Sequence, residues 1–235
     1  MGWLSRLLRR GTSGLDGRQR QRLEDWRGHE GSALDIPFRE ARYVVVDVET
    51  SGLDLVKDRL ISIGAVAVSN CGIALRESFY TVLQQVDVSS KENIVLHGIG
   101  GAAQTSGTPA PEALLSFLEF LGNSPLVAFH VTFDQTMIRR AMREYLGFNF
   151  RHPWLDMAYV MPGLNPELAA RHRSLDDWIG RFGIGNDNRH NALADALVTA
   201  QLFQVAVAQS AKLGVKNYSD LQALEKAQRW VSGVD

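Results

Sequence analysis

From Arg42 to Glu49 the chain reads Arg-Tyr-Val-Val-Val-Asp-Val-Glu, β-branched and almost continuously apolar. Such a run predicts a central strand covered on both faces. Thr50–Asp54 predicts a turn, Leu60–Val68 a second strand, and Asn70–Gly72 a hairpin link to a third strand over Ile73–Val82. Three strands with short links imply an antiparallel meander. The period then lengthens. Pro111–Leu121 is amphipathic at helical spacing and starts near a proline. Leu126–Phe129 predicts a short strand, Phe133–Leu146 a helix ended by Gly147, and Trp154–Tyr159 a weak strand. Ser174 and Asp177 form a capping signal before another helix, a long helix is expected over Asn191–Leu213, and Ser219 opens a short last one. Early strands followed by strand–helix alternation predict an α/β fold with a mixed sheet.

The ends of the chain differ from this middle. Residues 1–40 read as an N-terminal extension, helical around Arg18–Trp26 and outside the main core; residues 41–212 form the principal domain and 213–235 a helical tail. Trp3, Leu4, Leu7 and Leu8 share one helical face, with Arg6, Arg9 and Arg10 largely off it. A short helix packed on its own domain is expected, with a protein partner or a membrane surface as the alternatives. Ser5 and Arg6 interrupt the apolar residues, so no signal-peptide core forms, and nowhere do 18 apolar residues run together. No transmembrane segment is expected.

Composition narrows the function. With 45% hydrophobic and 22% charged residues, 235 residues suffice for one sizeable core and exclude disorder for most of the chain. Cys71 stands alone, which excludes an internal disulfide framework and a thiolate metal cluster and suits a cytoplasmic location. Lys plus Arg number 25 against 26 for Asp plus Glu, so nucleic acid cannot be held by bulk positive charge. A phosphate would have to meet a local basic patch or metal ions.

Asp47 and Glu49 carry the strongest chemical signal. Two apart on a strand, they point to one face, where neighbouring carboxylates repel and resist desolvation. A hard divalent cation resolves the conflict, and the alternative is a strand that ends at Val46 with two ordinary loop acids. Asp134 stands at a strand-to-helix junction, where it could equally be a capping residue. His190 and Asp195 are five apart, about 140° around a helix, so both reach one site only if His190 belongs to the preceding loop. Taken singly, each has a bland alternative as a cap or surface charge. Together, four carboxylates and a histidine fit two-metal phosphodiester hydrolysis, with a neutral imidazole taking the proton of the attacking water.

The motifs Val46-Asp-Val-Glu-Thr-Ser-Gly-Leu53, His130-Val-Thr-Phe-Asp134 and His190-Asn-Ala-Leu-Ala-Asp195 resemble those of the DEDDh 3′–5′ exonucleases. That family includes the proofreading epsilon subunit of bacterial DNA polymerase III, ribonuclease T and oligoribonuclease, and the resemblance covers roughly residues 41–212. It implies a ribonuclease H-like fold, a five-stranded mixed sheet flanked by helices. It implies two Mg²⁺ or Mn²⁺ ions held by Asp47, Glu49, Asp134 and Asp195, with His190 as general base. It also implies release of nucleoside 5′-monophosphates from a 3′ end; the preferred reading is action on single-stranded ends, DNA over RNA. In the tyrosine branch a Tyr lies four residues before the last Asp; here that position is Asn191, so the histidine branch fits. His97 and Ile99 resemble the segment lining the terminal-nucleotide pocket, and Thr50 would offer its backbone or hydroxyl to the 3′ end. Val131 stands where an asparagine is common, and the late start of the domain and the helical tail set the chain apart from the proofreading subunit, which weakens the expectation of a polymerase partner. An oligoribonuclease or RNA-trimming enzyme is the alternative within the class, and a non-catalytic nucleic-acid-binding module the alternative outside it.

Overall fold

The computed structural model describes residues 14–186 and 189–233, so the apolar face of Trp3–Leu8 lies outside the described residues. Strands β1 (Arg42–Thr50), β2 (Leu60–Ser69) and β3 (Gly72–Val82) form the expected antiparallel meander. Asn70 and Cys71 both take positive φ between β2 and β3, the conformation of a two-residue type I′ hairpin turn. Strands β4 (Leu126–Ala128) and β5 (Trp154–Asp156) add in parallel on the other side of β1, giving the order β3-β2-β1-β4-β5.

Alternation along β1 divides the core. Val44, Val46 and Val48 face one layer, which includes α4 (Ala110–Leu121) and α5 (Val131–Ala141). Tyr43 and Val45 face the other, built from α6 (Met157–Leu164), α7 (Leu175–Arg181), α8 (Ala192–Ser210) and α9 (Tyr218–Val231). Both sheet faces are therefore covered, as the continuous apolar run of β1 requires. Short helices α2 (Lys91–His97) and α3 (Gly101–Thr105) follow the meander.

Several expectations need correction. The helix α1 (Gly17–Arg27) appears where expected, opened by a capping box between Asp16 and Gln19. It is not outside the core, because Leu15 and Leu23 are buried in the α4 layer. Arg22 clamps α1 to α4 through Glu112 and Glu119, both at 2.6 Å. Only Trp154–Asp156 of the expected weak strand is extended; Asp156 then caps α6, and Pro162 inside that helix disguises it in the sequence. Burial of Met157, Val160 and Met161 offsets the hydrogen bond that proline removes. The last helix has 14 residues and is capped by Asn217, not Ser219. By length and composition the long helix and its final 3₁₀ turn, Ala192–Leu213, could cross a membrane, but Val198, Ala200, Leu202, Phe203 and Ala206 are buried in the sheet-facing core.

Candidate metal centre

Asp47 and Glu49 continue the row of Tyr43 and Val45, so they lie on the α8 face at the C-terminal end of β1. In register, Asp47 stands opposite Gly64 and Glu49 opposite Ser62. Gly64 is what lets α8 close on this spot. A Cβ there would fall 2.2 Å from the Leu193 amide nitrogen and 2.3 Å from the Ala192 carbonyl carbon. The first turn of α8 thus rests directly on the sheet and delivers Asp195. Carboxylate oxygens of Asp47, Glu49 and Asp195 lie within 4.8 Å of one another.

Asp134 reaches the same end of the sheet from the first turn of α5 and is only 4% exposed. It is not in the 4.8 Å cluster, but its charge acts on Asp47. The electrostatics are adverse. Burial first, then the charges of Asp134, Glu49 and Asp195, pushes the Asp47 carboxyl well above the ordinary carboxylate range. Burial and Asp195 push Glu49 up to about 7, and burial likewise raises Asp134. Asp47, Glu49 and Asp134 thus crowd a site that resists their ionisation.

Asp195 is the best supported of the four. Its Oδ1 accepts hydrogen bonds from Arg189 Nη1 at 2.6 Å and Asn186 Nδ2 at 2.7 Å, and its Oδ2 from the His190 amide at 3.0 Å. Arg189 also reaches Asp176 of α7 at 2.8 Å, tying the loop before α8 to two helices. His190 lies on the turn ahead of α8, with φ 61° and an exposed side chain, as the five-residue offset required. An all-oxygen donor set at this spacing fits a hard divalent cation.

The Thr50 hydroxyl donates to the Gly52 carbonyl at 2.6 Å, and a register shift between Glu49 and Thr50 marks the end of regular pairing. His97 is buried; its Nδ1 accepts the Ile99 amide at 3.0 Å, which assigns the proton to Nε2, facing Ser89. Its pKa is pushed down by burial, so the ring stays neutral and braces the turn that carries Ile99, itself only 6% exposed. Val131 is packed in the core of the α5 layer, and its amide donates to Asp156.

Three residues escaped sequence reasoning. Gly64 had a readable signal, a glycine inside an apolar strand, which marks close backbone approach. Asp156 is a buried carboxylate in an otherwise apolar strand, also legible in principle. Nothing in the sequence distinguishes Arg189 from other arginines.

The family model described as Exonuclease matches residues 44–203. The chain is 32% identical over 193 residues to the PolC-type DNA polymerase III of Thermotoga petrophila, covering 82% of this chain but 14% of that protein. It is 30% identical over 190 residues to the DNA polymerase III epsilon subunit of Aquifex aeolicus, covering 80% of this chain and 92% of the subunit. Among solved structures it is similar to E. coli exonuclease I in complex with a dT13 oligonucleotide, with TM-score 0.61, 16% identity, and coverage of 74% and 42% of the two chains. Exonuclease X in complex with 5′ overhanging duplex DNA gives TM-score 0.59 at 17% identity, with coverage of 78% and 99%. These folds agree with the five-stranded mixed sheet and its flanking helices, as in ribonuclease H-like exonucleases. The chain belongs to the exonuclease family.

Proposed function

We propose that the protein is a metal-dependent 3′–5′ exonuclease that removes nucleoside 5′-monophosphates from single-stranded 3′ ends. The observation that carries this is the gathering of Asp47, Glu49 and Asp195, from two separate elements, within 4.8 Å. In this proposal they and Asp134 hold two Mg²⁺ or Mn²⁺ ions, which supply charge stabilisation to the attacking and leaving oxygens of the scissile phosphate. The ions also explain how a chain of net charge -1 handles a polyanion.

The protein's own groups do the rest. His190, exposed on its turn beside Asp195, takes the proton of the attacking water at an imidazole nitrogen. Ile99, carried by the His97-braced turn, would pack on the terminal nucleotide through its exposed edge, and Thr50 contacts the 3′ end through its backbone or hydroxyl lone pairs. DNA is the proposed polymer, since the relatives carry DNA polymerase names and the exonuclease I neighbour was seen with a DNA oligonucleotide. Association with a polymerase is proposed on those names alone. Residues 41–212 are proposed as the catalytic domain, with 1–40 and 213–235 packed onto it through α1 and α9, and the exposed part of 1–40 as the surface for a protein partner. The lone Cys71 suits a reducing, cytoplasmic setting.

The test uses purified protein, Mn²⁺ and 5′-labelled single strands of DNA and of RNA. A descending ladder is expected, faster on DNA, and Asp134→Ala should abolish it. A ladder that survives this substitution sinks the assignment; a faster one on RNA sinks the choice of polymer.

A further inference from the structure

Asp134 owes its position to groups outside its own helix. The α5 helix has no side-chain cap of its own, and its N-cap residue His130 is held in the left-handed region at φ 64°. The cap comes from β5. Asp156, 1% exposed, accepts the His130 amide at 2.9 Å on Oδ1 and the Val131 amide at 3.1 Å on Oδ2. Its Oδ1 also accepts the Ala158 amide at 3.0 Å, so one carboxylate pins the starts of α5 and α6 together.

Asp156 is itself held from the C-terminal helix. Arg229 Nη2 donates to its Oδ2 at 2.8 Å, and Glu225 Oε2 accepts its backbone amide at 3.1 Å. Glu225 Oε1 accepts Arg229 Nε at 2.9 Å, and the guanidinium lies 4.0 Å from the Tyr159 ring centroid. Arg229 is thereby fixed on three sides. Tyr218 anchors the other end of α9 through its hydroxyl, which donates to the Trp154 carbonyl at 2.9 Å. The α9 helix lies beyond the stretch 44–203 that matches the exonuclease family.

We propose that Arg229 and Glu225 are positioning residues for Asp134, acting through Asp156. The inference rests on the proposed ligand role of Asp134. A carboxylate that must be aimed at a cation tolerates little displacement, and residues that orient ligands from outside commonly change metal affinity about 10- to 100-fold when removed. Loss of Arg229 leaves Asp156 buried with backbone donors alone, and the strained His130 turn then loses the partner that sets its angle.

The experiment measures Mn²⁺ binding by calorimetry, with melting temperature, kcat and KM alongside, for Arg229→Met, Arg229→Lys, Glu225→Gln, Leu221→Ala and Asp134→Asn. Arg229→Met should raise the Mn²⁺ dissociation constant at least about tenfold and lower kcat, with KM for the oligonucleotide little changed. Arg229→Lys, which keeps the charge but not the forked geometry, should restore part of the affinity. Leu221→Ala removes a fully buried α9 contact without touching the network, so it should lower the melting temperature and leave Mn²⁺ binding alone. If Arg229→Met behaves like Leu221→Ala, α9 is only a packing element and the inference falls. Should Arg229→Met not fold, Glu225→Gln decides: several-fold weaker Mn²⁺ binding supports the inference, and unchanged binding overturns it. Asp134→Asn separates the two claims. If it leaves Mn²⁺ binding intact, the metal-site proposal fails; if it weakens binding while Arg229→Met does not, only the inference fails.

Discussion

Two clusters of buried carboxylates lie at the same end of the sheet and are treated in opposite ways. Around Asp156 the protein supplies everything: three backbone amides, the Arg229 guanidinium and an orienting Glu225. Around Asp47 it supplies mainly more negative charge. Among the described residues no ion pair reaches Asp47 or Glu49, and Arg189, paired with Asp195 and Asp176, opposes the repulsion less strongly than burial adds to it. The folded chain neutralises Asp156 fully and leaves Asp47, Glu49 and Asp134 in mutual repulsion nearby, a conflict that the proposed metal ions would relieve. That contrast separates acids that hold the fold together from acids that the fold must hold in place.

Exchanging charge for amide in the two clusters should split stability from activity. Asp47→Asn should lower kcat by about 10³-fold or more, since loss of a proposed metal ligand would remove several kcal/mol of charge stabilisation. It should also raise the melting temperature in metal-free buffer, because a repelling charge is gone. Asp156→Asn should lower the melting temperature, having broken a buried pair worth about 3–5 kcal/mol to intactness. Kinetics and calorimetry on both variants decide it, and a destabilised Asp47→Asn protein would erase the distinction.

A smaller effect tests how the halves of the site are brought together. Gly64→Val places side-chain atoms where the α8 backbone now lies. Displacement of Asp195 by about 1 Å should lower kcat about 100-fold, accompanied by a stability loss of about 1–3 kcal/mol. Near-normal turnover would mean that α8 need not rest on β2 for the site to work.

The mildest perturbation is pH. Glu49 ionises near an ordinary 4.5 when unfolded but at about 7 in the folded chain. A carboxyl whose folded pKa is the higher one favours the folded state in acid, and this contribution is lost as pH rises from about 4.5 through about 7. Metal-free protein should therefore lose stability across that window. Mn²⁺ must displace this proton and any on Asp47 and Asp134, so its apparent affinity should rise with pH, by about tenfold per pH unit for each proton displaced. Titrations at pH 5.5, 6.5 and 7.5 check this, and a flat profile would remove Glu49 from the ligand set.

Much of the fold was legible because its signals are local. The β1–β3 meander follows from β-branched runs and the Asn70–Cys71 turn, and α7 from the Ser174–Asp177 capping box. Errors arose where stabilisation is non-local. The α5 helix begins two residues before the expected Phe133 because its cap is Asp156, distant in sequence. The α1 helix joins the core through Leu15 and Leu23, whose pattern among charged neighbours looked like a solvated extension. For the site, residue types and spacing pointed to Asp47, Glu49, Asp134, His190 and Asp195, while Gly64, Asp156 and Arg189 serve through shape and pairing that spacing does not encode.

Sequence alone determined the element types, the meander and the candidate ligands, since strand alternation puts Asp47 and Glu49 on one face whatever surrounds them. Only tertiary structure decided that Asp195 meets them, because that contact needs α8 to lie against Gly64. It likewise decided which buried acid is neutralised within the chain: Arg229 is 73 residues from Asp156, and pairing across such a gap depends on how helices pack rather than on any local pattern.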